Sequence, residues 1–278
     1  MKKVYKKSIA ITGAKGLLGS YFKTKYSNKY KIISYPHRVE DKYKFKKWIT
    51  DKKFDYFIHF AGINRNNINN SNKNLKLINE TSSINILKEL NLLSHNKLKF
   101  FLFISSSHVY NFSKLKIKEN FKKLPNNHYG KTKLNVENFI IKNRKKFLFK
   151  AGIARIFNTT GKKQKKGYIV PDLIKKINEN KIIKNLNVYR DFIHPEDIVK
   201  SIDLIISKRF TRPVNVCSGN KINLIDLCKI INKYYTHKKT VKFDFKRGGD
   251  LFGNNNLLKS IGIKKFKDIH QIIREFKK

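Results

Sequence analysis

The stretch SIAITGAKGLLG, residues 8–19, decides how the rest of this chain reads. Residues 8–11 have the apolar character of a first strand, and the sequence from Leu17 to Tyr26 has that of a helix. Between them stand Gly13, Gly16 and Gly19. Glycines let the chain turn tightly and let a pyrophosphate approach the backbone, while a helix N-terminus offers unpaired N–H groups and a favourable dipole. A glycine triplet alone marks only a tight turn. Placed between a first strand and a helix, it marks a dinucleotide seat, with Gly13, Gly16, Leu17 and Gly19 as candidate contacts.

Outward from this loop, apolar runs at 31–35, 56–60, 100–105 and 147–155 alternate with helical patterns at 75–93 and 129–143. Strands that are apolar throughout and separated by helices predict a parallel sheet covered on both faces, with ligands at the carboxyl ends of its strands. The expected fold class is therefore α/β: a Rossmann-like doubly wound parallel sheet with a smaller mixed α/β lobe. The dinucleotide-binding domain is expected over 1–160, also receiving part of 188–207, and the substrate lobe over 161–278. The change of character comes at Gly161, where KKQKKG interrupts the pattern before a helix expected to open at Pro171, a favoured first helical position. The Asn-rich stretch 64–74 reads as an exposed loop.

A chain of 278 residues with 40% hydrophobic and 13% aromatic residues can bury a sizeable core, which excludes wholesale disorder. Its 63 Lys+Arg against 19 Asp+Glu give a formal charge of +44. A nucleic-acid groove would concentrate that charge and interleave it with aromatics. Here lysine is spread through nearly every segment, so the charge reads as solvated surface and nucleic acid is not an expected partner. The field should still attract anionic ligands. The basic N-terminus has too short an apolar run for a leader, and no segment approaches the roughly 20 apolar residues that span a bilayer, so no membrane is expected. Cys217 and Cys228 have neither metal-site spacing nor the density of a disulfide scaffold, so no metal and a reduced, cytoplasmic setting are expected.

At the end of the second strand, where an acidic residue would serve the ribose hydroxyls of NAD, stand Tyr35, Pro36, His37 and Arg38. Arg38, with Lys15, is a candidate anchor for a 2′-phosphate, which favours NADP over NAD; the competing view is one more exposed cation in a cation-rich chain. Tyr129 and Lys133 lie four apart on one helical face, where an ammonium is expected to lower the pKa of the phenol and make it an acid/base. The strand before them ends in Ser105, Ser106 and Ser107, so that Ser106 is a candidate hydrogen-bond partner of a reacting oxygen; ordinary capping serines are the alternative.

The ordered series of ITGAKGLLG, DYFIHFAGI (55–63), Asn79, SSSHVY (105–110), YGKTK (129–133), RIFNTTG (155–161), RDFIHPEDI (190–198), NVCSG (215–219) and RGGD (247–250) resembles the extended short-chain dehydrogenase/reductase family over nearly the whole chain. That family includes nucleotide-sugar epimerases, dehydratases and reductases. The resemblance implies Ser106, Tyr129 and Lys133 as a catalytic triad. Cofactor contacts are implied at Phe60, Ala61, Gly62 and Asn79 as well as at Tyr129 and Lys133. Substrate contacts are implied at Ser107, His108, Asn158, Tyr168, Arg190, Arg247 and Asp250, with the two guanidiniums suited to a diphosphate. A homodimer is the family's frequent arrangement.

Ser107 and His108 stand where related dehydratases carry Asp-Glu, which argues against elimination of water, since the acid and base are missing. His108 and Tyr168 stand where epimerases acting beside the keto group carry Cys and His. Two reactions need only Ser, Tyr, Lys and cofactor: reduction of a 4-keto sugar and C4 epimerisation. The stretches GYIVPDLIKKI (167–177), YRDFIHPEDIV (189–199) and NVCSG look closest to reductases of GDP-4-keto-6-deoxymannose, with the C4 epimerase as runner-up. A rival of another class is an inactive relative binding RNA or sensing a nucleotide, which would have no need of the triad. Lys162, Lys163, Lys165 and Lys166 come soon after Asn158 and are expected either to flank the cleft as a diphosphate clamp or to form a solvated loop.

Overall fold

The computed structural model describes residues 6–64, 71–93, 98–164, 167–179, 181–183, 187–235 and 248–277. Strands β1 (Ser8–Thr12), β2 (Lys31–Ser34), β3 (Tyr56–His59), β4 (Phe100–Ser106), β5 (Lys150–Ile156) and β8 (Val214–Val216) form one sheet in the order β2-β1-β3-β4-β5-β8. Every pairing in it is parallel. A parallel sheet must be covered on both faces, and all seven residues of β4 are buried. Its three phenylalanines, Phe100, Phe101 and Phe103, are fully buried, each contributing on the order of 1.5–3 kcal/mol.

One face is covered by α1 (Leu17–Tyr26) and α7 (Pro195–Ser207), which bring Phe22, Ile198, Ile202 and Ile205 onto Ile9, Ile11 and Ile58. The other is covered by α2 (Lys42–Thr50), a long helix from Asn72 to Leu92 and α5 (His128–Asn143), whose Phe45, Ile86, Leu90, Val136 and Ile140 meet Phe57, Phe101 and Ile153. The long helix divides into α3 (Asn72–Leu75), a π-helical stretch Lys76–Thr81 and α4 (Ser82–Leu92). Such wide turns recur at functional sites because they re-aim one side chain, and Asn79 sits within this one.

A second sheet joins β6 (Asn158–Thr159), β7 (Tyr189–Ile193) and β9 (Lys221–Asn223), with β6 parallel and β9 antiparallel to β7. Around it α6 (Ile169–Asn178), α8 (Leu224–Tyr235) and α10 (Ile269–Glu275) enclose a core of Val170, Leu173, Leu227, Ile231 and Ile273. The short α9 (Asn256–Ser260) packs Leu258 back onto the large sheet. The helix expected to open at Pro171 opens two residues earlier, at Ile169. Proline is tolerated there because the first turn has no intrahelical partner for its N–H groups.

The sheet edge beneath the cleft is locked by a buried ion pair. Arg155 Nη2 lies 2.6 Å from Glu137 Oε2, and its Nη1 donates to Tyr110 Oη at 2.6 Å and to the Glu119 carbonyl at 2.9 Å. Ser105 donates to Glu137 Oε1 at 2.6 Å, and Tyr110 donates to Asn215 Oδ1 at 2.8 Å. One network therefore joins β4, α5, β5 and β8. Removing one charge strands the other, so Glu137→Gln is expected to cost about 3–5 kcal/mol of unfolding free energy, while Glu137→Met with Arg155→Met recovers most of it. Urea denaturation of both variants checks this.

Candidate active site

The sheet reverses its winding between β1 and β3, and ligands of open α/β sheets bind in the crevice at such a point. A cleft of about 780 Å³ opens there. Gly13, Gly16, Leu17 and Gly19 form one wall, and Phe60 and Gly62 another. Gly13 has φ +68°, and a Cβ on it would stand 2.6 Å from the Ala61 nitrogen. A Cβ on Gly19 would strike the Gly13 carbonyl oxygen. No side chain caps α1 and its first turn carries no acidic residue, so its N–H groups and dipole suit an anion. This donor set, with backbone bare of side chains beside it, fits a dinucleotide pyrophosphate.

Ser106 ends β4, and Tyr129 and Lys133 lie on the first turns of α5; all three line the cleft. Asn127 caps α5 by accepting from Gly130 N at 2.8 Å. A side chain at Gly130 would collide with the His108 carbonyl, so only glycine lets α5 press against the turn after β4. That contact sets Tyr129 beside Ser106, whose hydroxyl favours the phenolate, and the His108 ring meets Tyr129 edge-on at 5.8 Å. Ser106 Oγ accepts from His108 N at 3.2 Å, leaving its own hydrogen to donate.

The electrostatics differ from the sequence expectation. Burial pushes the Tyr129 phenol up to about 12, offset in part by Ser106, with Tyr168 adding to the rise. The helical spacing predicts that Lys133 lowers it, but desolvation wins. The lysine is itself buried, donates to the Ile104 carbonyl at 3.1 Å and lies 4.9 Å from the Phe103 ring centre. Burial brings its pKa down to about 8, with Glu137 one helical turn away opposing the fall. Tyr129 is thus a protonated donor at neutral pH.

Ser107, His108, Asn158, Tyr168 and Arg190 also line the cleft. Tyr168 Oη accepts from Asn64 Nδ2 at 2.7 Å. Arg190 Nη1 donates to the carbonyls of Tyr189 and Gly249 at 2.8 and 2.7 Å, which fixes the guanidinium at the cleft wall. Asp250 is not among the lining residues; its Oδ1 accepts from Tyr189 N at 2.9 Å and steadies the strand that carries Arg190. Arg247, Lys165 and Lys166 lie outside the described residues. Lys163 lies 5.3 Å from the Tyr21 ring centre, and neither it nor Lys162 lines the cleft. Arg38 and Lys15 share a separate hollow beyond β2, where Arg38 pairs with Glu40 at 2.5 Å.

Asn79 and Ala61 do not line the cleft. Asn79 takes Ile63 N at 2.9 Å and gives to Ile63 O at 2.8 Å, so both ends of its amide hold the 60–63 loop. Sequence reasoning missed Asn64, Asn127 and the Ser105–Glu137–Arg155 group. Glu137 follows Lys133 at helical spacing, a signal present in the sequence; its Arg155 partner comes only from the folding of β5 beside α5.

A glycine-loop crevice with Ser, Tyr and Lys converging beside it defines a dinucleotide-dependent class of fold and site. Residues 9–217 match the NAD dependent epimerase/dehydratase family, and the chain belongs to that family. It is 26% identical over 196 residues to GDP-6-deoxy-D-talose 4-dehydrogenase of Aggregatibacter actinomycetemcomitans, covering 68% of this chain and 65% of the relative. It is 28% identical over 167 residues to GDP-6-deoxy-D-mannose reductase of Pseudomonas aeruginosa, covering 54% and 55%. The matched stretches span less than two thirds of either relative. The solved RMD from Pseudomonas aeruginosa complexed with NADPH superposes with a TM-score of 0.86 at 21% identity, covering 97% of each chain. UDP-N-acetylglucosamine 4-epimerase from Methanobrevibacter ruminantium in complex with UDP-N-acetylmuramic acid gives 0.82 at 20% identity, covering 98% and 97%. These likenesses establish the fold.

Lys133 has a folded pKa below that of a free lysine, so its ammonium persists at neutral pH and is lost as pH rises through about 8. Dinucleotide affinity is expected to fall across that interval, and the fall to vanish in Lys133→Met. Fluorescence titration with NADPH and NADH at successive pH values measures it.

Proposed function

We propose that this protein is an NAD(P)-dependent oxidoreductase acting on a nucleotide-activated sugar, most simply a reductase of a 4-keto-6-deoxy sugar nucleotide resembling GDP-4-keto-6-deoxymannose. The observation that carries this reading is a Tyr129 phenol, held protonated by burial, that shares with Ser106 and Lys133 a cleft walled by the glycine loop. A bound nicotinamide would supply hydride to a carbonyl carbon. Tyr129 then donates its proton to the carbonyl oxygen while Ser106 hydrogen-bonds the same oxygen. Lys133 holds its charge beneath them, and the phenolate left behind is the form that an ammonium favours. Arg190 faces the diphosphate, and Asn158, Ser107, His108 and Tyr168 contact the sugar.

The names of the two curated relatives support a GDP-linked 6-deoxy sugar, one of them with chemistry at position 4. Arg38 and Lys15, together in the hollow beyond β2, favour NADP over NAD, with Arg38 exchanging Glu40 for a 2′-phosphate. The lobe that begins at 161 is assigned to the sugar nucleotide, and Arg247, outside the described residues, stays a candidate for its diphosphate by family resemblance alone. A cytoplasmic homodimer is the expected setting, and no described helix is long and apolar enough to cross a membrane.

Purified protein with NADPH and GDP-4-keto-6-deoxymannose is expected to consume cofactor stoichiometrically, followed by absorbance. Tyr129→Phe should lower kcat at least about a hundredfold, the lower range for loss of a general acid. Turnover of the 4-hydroxy sugar nucleotide with tightly held NAD and no net consumption would instead establish the C4 epimerase. Tighter binding of NADH than NADPH would remove the role given to Arg38.

A further inference from the structure

Behind the glycine loop runs a chain of hydrogen bonds through side chains that do not line the cleft. Ala61 N donates to Thr12 Oγ1 at 3.2 Å, and Thr12 Oγ1 lies 2.7 Å from His59 Nδ1. On the far side of the ring, His59 Nε2 lies 2.8 Å from Ser83 Oγ, and Ser83 donates to the Asn79 carbonyl at 2.7 Å. A hydroxyl has one hydrogen to give. Ser83 has committed its hydrogen to Asn79, so it accepts from the ring and Nε2 must carry the proton. Full burial keeps a second proton off the ring, so Nδ1 is bare and accepts from Thr12, whose lone pair takes Ala61. Hydrogen counting places the one proton and burial keeps the ring neutral, so the chain is directional from end to end.

Both ends of this relay hold the same loop. Thr12, the residue before Gly13, grips Ala61, and Asn79 grips Ile63 through both ends of its amide. Phe60 and Gly62, between and beside those grips, line the cleft opposite the glycine loop. His59 is fully buried, with the Phe101 and Phe103 rings stacked at 6.5 and 6.1 Å. From α5 it faces the Lys133 ammonium, and from β1 and α4 only the neutral hydroxyls of Thr12 and Ser83. Burial first, and Lys133 second, press its pKa down to about 3.

We propose that His59, locked as the neutral Nε2–H tautomer, is a positioning residue that clamps the 60–63 loop against the glycine loop and thereby sets dinucleotide affinity. The assignment rests on the proposed dinucleotide reading of the cleft. It makes His59 a determinant of binding although it never touches the ligand.

Fluorescence titration of wild type, His59→Phe, Thr12→Val and the double variant with NADPH and NADH tests this. Each single change is expected to raise the dissociation constant about tenfold or more, because each strands buried polar groups. The double variant should be no worse than about the weaker single, since both break one relay. Binding by His59→Phe within about twofold of wild type, or additive losses in the double variant, overturns the proposal while leaving the dinucleotide reading intact. If wild type binds neither dinucleotide, that reading falls and this one with it.

Nitrogen NMR of the histidine imidazoles needs no ligand and separates positioning from mere packing. One ring is expected to stay in the Nε2–H form from about pH 5 to pH 8, where ordinary histidines titrate, and to be lost in His59→Phe. A His59 that titrates in that interval, or carries its proton on Nδ1, overturns the assignment. Thr12→Val, which perturbs the same ring from outside, identifies the resonance if His59→Phe does not fold.

Discussion

Strand β4 is buried on both faces along its whole length, so its backbone must be paired on both sides and its first polar side chains can appear only where it leaves the sheet. Those side chains are the serines at 105–107. Ser105 turns to the Glu137 carboxylate behind the sheet, and Ser106 turns to Tyr129 in the cleft. The alternation of a strand thus assigns one hydroxyl to structure and the next to the site. Because Glu137 is held by Arg155 on β5 and lies one helical turn beyond Lys133 on α5, the placement of the site and the closing of the sheet edge are the same event.

Carboxylates are scarce in this chain, and the structure uses them at joints. Asp203 on α7 accepts from Tyr30 and Lys29, tying the connection after α1 to its neighbouring helix. Asp55 accepts from Ser8 and Lys99 at the foot of β1 and β4. Asp191 takes the Ser218 hydroxyl and the N–H groups of Ser218 and Gly219, pinning β7 to the turn after β8, and burial still lifts it to about 6. With acids committed in this way, most lysines have no acidic partner to meet, and the positive field extends over the surface by default. That field attracts anions in general without deciding where one lies.

Tertiary surroundings decide what two motif residues meet. Helical spacing makes Tyr129 a phenol activated by its lysine, yet in the folded protein it is held protonated, because desolvation acts on both groups at once and the lysine is turned toward the Ile104 carbonyl. Asn79, which the family resemblance implies as a cofactor contact, holds Ile63 through its amide on the wall of the loop. In each case a partner distant in sequence sets the environment of a residue that its motif alone leaves open.

Sequence alone determined the alternation of apolar strands and helices, the glycine loop, and the Ser106, Tyr129 and Lys133 set, because these depend on period, local turn chemistry and residue type within one or two elements. It did not reveal α2, the π-helical turn around Asn79, the pairing of Glu137 with Arg155, or the chain from Thr12 through His59 to Ser83. The last two join segments 18 to 47 residues apart through single hydrogens and shared burial. Local patterning does not encode such pairings; only the stacking of helices on a closed sheet brings the groups within hydrogen-bonding reach, and only burial makes leaving them unpaired costly.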